Sequence, residues 1–256
     1  QSFIQTTNTV ESIIDASLTI DHLKNKLDAL EKSPTATTAG GRYSYRDRAA
    51  RFHVEDTDGG ILIGAKRNAE EDSYYWRISR WLFPWITMIP REPKGSARSG
   101  LIVPIDDENC WFFLVRWDPY KPLEGEYTEA PRDGMIPGTW LGKANKSNHY
   151  MIDRQVQNTE TFSGIPDRMG RAQDAAMTDS MGAIVDRTEE HLGTTDAAII
   201  RMRRRLIQGA NDLQEGIEPY AASHPEVFKV RSGGAVLPRD VYFKDDADVW
   251  DDITVK

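Results

Sequence analysis

The chain's 256 residues correspond to one large domain or two small ones at about 150 residues per domain, and a hydrophobic content of 39% is enough for a core. Mean hydropathy of −0.57 with 28% charged residues describes a soluble surface, and no apolar run approaches the ~20 residues that span a bilayer. A net charge of −8 and a pI near 5.2 exclude the basic footprint of a DNA or RNA reader.

The first thirty residues predict a helix, because Val10, Ile13, Ile14, Leu18, His22, Leu23, Leu27 and Leu30 recur at helical spacing. Residues 33–41, rich in Ser, Thr, Pro and Gly, break that pattern and read as a loop. Arg51-Phe52-His53-Val54-Glu55 then alternates, Asp58-Gly59-Gly60 turns, and Ile61-Leu62-Ile63 continues, which predicts a hairpin. Further strands are expected over residues 74–89, 101–105 and 111–117, all rich in aromatic and β-branched residues. The aromatic run from Tyr74 to Trp85 and the run Trp111-Phe112-Phe113 suit either a core or a cavity for a flat ring. Residues 118–148 read as a long surface loop.

Helix returns near the end. Thr195 is the expected N-cap, with Asp196 in the first turn. Ile199, Met202, Leu206, Ile207 and Ala210 form an apolar face, and Arg201, Arg203, Arg204 and Arg205 read as a solvated opposite face or a dock for an acidic partner. The tail from Ala235 to Lys256 alternates acids with Val, Tyr and Trp and carries no clear signal. Together these elements describe one α+β domain over residues 1–256, with a helical start at 1–32, the loop at 33–41, sheet and helix at 42–215 and a tail at 216–256.

Cys110 is the only cysteine, so no internal disulfide and no thiolate metal cluster is possible within these residues. A cytoplasmic location is the default expectation. The apolar run around Cys110 predicts a buried structural thiol. The sequence starts with Gln and shows no charged-then-apolar leader, so no signal peptide is expected. A glycine-rich phosphate loop, Gly-x-Ser-x-Gly and His-Glu-x-x-His are all missing. Each of the five histidines (His22, His53, His149, His191, His224) reads alone as an ordinary surface or core imidazole.

A distinctive series stands out between residues 148 and 196. It runs Asn148-His149-Tyr150-Met151-Ile152-Asp153-Arg154-Gln155, then Phe162-Ser163-Gly164-Ile165, then Ala172-Gln173-Asp174-Ala175-Ala176-Met177-Thr178-Asp179-Ser180-Met181-Gly182. It closes with Ile184-Val185-Asp186-Arg187-Thr188-Glu189-Glu190-His191-Leu192-Gly193-Thr194-Thr195-Asp196. This series resembles the catalytic domain of Rieske-type ring-hydroxylating oxygenases, in the phthalate 4,5-dioxygenase branch. The likeness is dense over residues 145–215 and looser over the strands from 60 to 120.

The resemblance implies a helix-grip (Bet v1/START-like) fold, a curved antiparallel sheet on a long C-terminal helix. It also implies a mononuclear iron(II) held by two histidines and one carboxylate, a facial set that leaves positions open for O₂. Asp174 falls on the carboxylate ligand. Aligned without a gap, Leu18 and Leu23 occupy the two histidine positions. One missing residue after Ser17 instead makes His22 the second ligand. The first histidine is then the missing residue, either lost or omitted from this sequence. Asp15 matches the family's bridging acid, which hydrogen-bonds a ligand histidine and links it toward the neighbouring cluster.

A Rieske [2Fe–2S] cluster needs two cysteines and two histidines, which these residues do not supply. The resemblance therefore implies a Rieske-containing reductase or oxygenase subunit and an NAD(P)H/flavin reductase on partner chains, in a trimer-based assembly. The activity it implies is O₂-dependent hydroxylation, or oxidative N- or O-demethylation, of a small aromatic or N-heteroaromatic substrate such as a methylxanthine. Hydroxylating a methyl group gives a hemiaminal or hemiacetal that releases formaldehyde. The competing readings are a catalytically silent subunit supporting an active paralogue, and a metal-free helix-grip ligand-binding module. No nucleic acid or membrane partner is expected.

Overall fold

The computed structural model describes residues 39–90, 96–118, 120–123, 134–166 and 172–255. Helix α1 (Ala39–Arg46) leads into strands β1 (Arg51–Thr57), β2 (Gly60–Asn68), β3 (Ser73–Leu82), β4 (Ile86–Ile89), β5 (Ala97–Pro104) and β6 (Cys110–Trp117). Helices α2 (Arg154–Thr159), α3 (Ala172–Ser180) and α4 (Ala197–Gln214) follow, then strand β7 (Gly233–Pro238) and helix α5 (Ala247–Ile253).

The described strands form one sheet in the order β1-β2-β3-β4-β5-β6, with β7 also paired to β3. Pairing of β3 with β2, β4 and β7 is antiparallel, as is that of β1 with β2. An open antiparallel sheet with a long helix after it is the expected α+β, helix-grip-like class. Strand β3 serves two neighbours on one edge, giving residues 73–78 to β7 and residues 80–82 to β4.

The described residues divide into two compact units, one made of those within 39–100, 114–120 and 193–255, the other of those within 101–113 and 121–192. In the first unit the sheet supplies the core. Leu62, Trp76, Ile78, Leu237, Phe243 and Ile253 are buried together, and each large apolar side chain so removed from water contributes about 1.5–3 kcal/mol. Trp76 meets Tyr242 edge-on at 5.3 Å and lies 5.1 Å from Phe243. Tyr75 and Trp81 are buried as well. Three aromatic residues of the long run, Tyr75, Trp76 and Trp81, are thus core.

Helix α4 packs on β1 and β2. At Gly209 a Cβ would stand 2.7 Å from the Phe83 ring, so only a residue without one lets the helix come this close. The arginines predicted to be solvated do part of this work. Arg201 donates to the Val54 carbonyl at 2.8 Å, and Arg205 donates to the carbonyls of Thr57 and Gly60. The helix starts one residue later than expected. Its N-cap is Asp196, whose carboxylate accepts from the Gly193 amide at 2.8 Å, where Thr195 was the predicted cap.

Sequence alone missed the last elements. Arg231 and Ser232 are buried just before β7, and Arg231 pairs with Asp252 of α5 at 3.2 Å. Buried Arg80 of β3 donates to the carbonyls of Arg231 (3.1 Å) and Ile253 (3.3 Å). Burial brings the Arg80 guanidinium down to about 10. These polar groups sit where an apolar pattern was sought, which is why the tail carried no signal.

Two other expectations need correction. Cys110 is exposed, because β6 presents Trp111, Phe112, Phe113, Leu114 and Val115 to solvent as well. Residues 39–41 open helix α1, although they were expected to belong to a loop. The hairpin at 58–60 does form, with Thr57 paired to Gly60 across Asp58-Gly59. No described helix is long and apolar enough to cross a membrane. The predicted helix over residues 1–32, with Asp15 and His22, lies outside the described residues.

Candidate functional site

The second unit contains Asp174, the one expected site residue that is described. It stands in the first turn of α3, exposed to solvent. Among the described residues its carboxylate has no hydrogen-bond or ion-pair partner. The helix beneath it is short and carries a smooth alanine face. Ala172 is buried with Ala144, Tyr150 and Ile165, and Ala175, Ala176 and Ile152 pack against that cluster.

The partner of α3 is an unusual turn over Lys146–Met151. His149, Tyr150 and Met151 have φ of 51°, 56° and 54°. Three successive residues with a Cβ in the left-handed region cost about 1–2 kcal/mol each, so the turn has to be held by its surroundings. Asn145 does much of that. Its side chain accepts from the Ser147 amide at 2.9 Å and donates to the Gly142 carbonyl at 2.8 Å. Its own carbonyl accepts from the Tyr150 amide at 2.8 Å. Asn148 closes the loop, accepting from the Asn145 amide (3.0 Å) and donating to the Lys143 carbonyl (2.6 Å).

The turn delivers one buried side chain. The Tyr150 hydroxyl donates to the carboxylate of Asp179 on α3. Burial first, and the Asp179 carboxylate second, push the Tyr150 phenol up to about 12. Past the turn, Asp153 caps α2 by accepting from the amides of Gln155 and Val156. Its own amide donates to the Gly164 carbonyl at 3.0 Å. Gly164 sits at φ +66°, where a Cβ would come within 2.3 Å of the Asp153 carbonyl oxygen, so only glycine fits. The 148–155, 162–165 and 172–182 segments of the sequence series are therefore one packed body around α3.

An iron(II) site of the facial type needs two imidazoles beside one carboxylate. Asp174 offers an exposed carboxylate of the kind such a site uses, without a partner among the described residues. No group of three His, Cys, Asp or Glu donors gathers among the described residues. His149 and His191 are in the same unit and exposed. His22 and Asp15 lie outside the described residues. Reasoning from the sequence missed Tyr150 and Asp179, because residues 29 apart carry no local signal of contact.

Comparison with known proteins finds similar chains. A 3-chlorobenzoate-3,4-dioxygenase oxygenase subunit from Comamonas testosteroni is 33% identical over 215 residues, covering 75% of this chain and 49% of the relative. A phthalate 4,5-dioxygenase oxygenase subunit from Pseudomonas putida is 26% identical, covering 78% of this chain and 47% of the relative. A 5,5'-dehydrodivanillate O-demethylase oxygenase subunit from a Sphingobium strain is 24% identical, covering 69% and 36%. The chain thus spans half or less of the length of these relatives. Residues 8–254 match the family described as LigXa C-terminal domain like, and the chain belongs to that family.

Proposed function

We propose that this chain is the catalytic oxygenase part of a multi-component system that hydroxylates or oxidatively demethylates a small aromatic compound. The observation that carries this reading is the match over residues 8–254 to a family whose similar proteins are named as oxygenase subunits. The exposed carboxylate of Asp174, without a partner among the described residues, supports it from the side of the site. Asp174 and His22 are the residues that would hold iron(II), and Asp15 would link a ligand histidine toward the electron donor. When bound, the metal supplies O₂ activation. Electrons come from NAD(P)H through a flavin reductase and a Rieske [2Fe–2S] cluster carried outside these 256 residues, within a trimer-based assembly.

The names of the relatives favour a ring carboxylate as substrate: a chlorobenzoate, a phthalate and a dehydrodivanillate. A methylxanthine falls within the same chemistry, since hydroxylation of an N-methyl carbon leads to loss of formaldehyde. The residues' own share is to fix one carboxylate on a short helix and to pack that helix on a rigid turn.

Iron content per chain after anaerobic iron(II) loading tests the reading. Close to one iron per chain, lost in Asp174→Ala and in His22→Ala, supports it. Background iron in the wild-type chain overturns it and makes the chain a partner subunit.

A further inference from the structure

We propose that Tyr150 and Asp179 are a positioning pair, fixing the rotation of helix α3 so that Asp174 keeps one direction before any metal arrives. The inference rests on the reading of Asp174 as a metal ligand. Helix α3 has nine residues and meets its neighbours through Ala172, Ala175 and Ala176. Apolar contact is non-directional, and methyl groups offer little to stop a short helix from turning about its axis. A hydrogen bond from a phenol to a carboxylate is short and directional. The Tyr150–Asp179 bond sets an angle at this interface.

Asp179 follows Asp174 by five residues, roughly 7.5 Å along the helix and about 140° around it. A rigid helix cannot swing Asp174 without moving Asp179. The other end of the pin is fixed too, because the phenol is carried by the left-handed turn at residues 149–151, which Asn145 and Asn148 tie down. His149 and Met151 in that turn are exposed. The buried side chain the turn presents is Tyr150, and it is presented to α3.

Iron(II) affinity of the full chain, measured by anaerobic equilibrium dialysis alongside thermal melting, tests the pair. Tyr150→Phe and Asp179→Leu are expected to weaken iron(II) binding by about tenfold. Asp179→Asn retains an oxygen acceptor and is expected to hold the metal nearly as the wild type does. Ile165→Ala, which loosens the same apolar cluster without touching the bond, is expected to lower the melting temperature and leave the affinity in place. Wild-type affinity in Tyr150→Phe, or equal losses in Tyr150→Phe and Ile165→Ala, overturns the pair as a positioning device. Should Tyr150→Phe fail to fold, Asp179→Asn against Asp179→Leu decides, and equal affinities in those two overturn it. A wild-type chain that binds no iron overturns the Asp174 reading itself, an outcome distinct from a wild type that binds and a Tyr150→Phe that binds equally well.

Discussion

The Arg205 guanidinium donates to the Thr57 carbonyl at 2.7 Å, so helix α4 grips the turn between β1 and β2 by its backbone. The same group reaches the Gly60 carbonyl, and Asp56 lies 3.8 Å away. Replacing Arg205 with Met keeps the aliphatic stem and removes the donors. A loss of about 1.5–3 kcal/mol is expected in chemical denaturation, the range for hydrogen bonds to a charged group. One terminal nitrogen, Nη1, serves both carbonyls, and a lysine ammonium carries donors enough for two but on a shorter stem, so Arg205→Lys should recover part of that loss. A lysine variant as stable as the wild type would show that charge alone holds the helix.

Gly164 offers a sharper test of the turn-and-helix body. An alanine there must either take φ +66° or push its Cβ into the Asp153 carbonyl. Gly164→Ala is expected to cost about 2 kcal/mol or more, because strain and steric clash add at one residue. The check is the denaturation midpoint. An unchanged midpoint would contradict the close contact.

The ion pair of Arg231 with Asp252 is almost fully buried, at 1% and 8% side-chain exposure. Tyr120 also donates to Asp252, at 2.7 Å. Removing the acid alone strands the guanidinium in the core, so Asp252→Ala should lose about 3–5 kcal/mol. Tyr120→Phe removes one donor and leaves the pair intact, and its cost should be near 1 kcal/mol. Equal costs for the two variants would rule out the buried charge as the larger cause.

His53 gives the protein a pH dependence of known sign. Burial is the main cause holding its imidazole below the usual value, Lys66 adds to the effect, and Glu55 opposes it. The ring packs on Trp76 at 5.1 Å and Tyr242 at 5.7 Å. As pH falls through about 6.5, the unfolded chain takes up this proton before the folded one does. Stability from this group is therefore complete above about pH 6.5 and declines as pH drops below it. Melting curves of wild type and His53→Gln between about pH 7 and 5 check this, with the flatter profile expected for the glutamine variant. Parallel profiles would remove His53 as the source.

Patterned segments were legible in the sequence. Alternation from Arg51 to Glu55 and the Asp58-Gly59-Gly60 turn located the first hairpin, and Tyr75, Trp76, Ile78 and Trp81 marked β3 as a strand with a buried face. Arg201 and Arg205 were misread because amphipathic spacing treats every arginine as a solvent group. It takes no account of a long stem that can return a guanidinium to main-chain carbonyls. Cys110 was misread because an apolar run implies burial only when another layer covers it. At the site, Asp174 was singled out by the resemblance of the residues around it, and no group of three donors gathers among the described residues. The Tyr150–Asp179 bond was not legible, since its geometry depends on three left-handed residues that no composition rule predicts.

Strand β3 shapes the order in which the protein can be made. Its Arg80 finds the Ile253 carbonyl 173 positions later in sequence, and its residues 73–78 wait for β7 at 233–238. On the ribosome, at about 5–20 residues per second, that edge stays open for roughly 10–30 seconds after β3 emerges. An open edge bordered by Tyr75 and Trp76 is a template for wrong pairing. The sheet therefore closes only once residues 233–238 have been released, and yield in a cell should respond to chaperone supply and growth temperature more than to the stability of the finished fold.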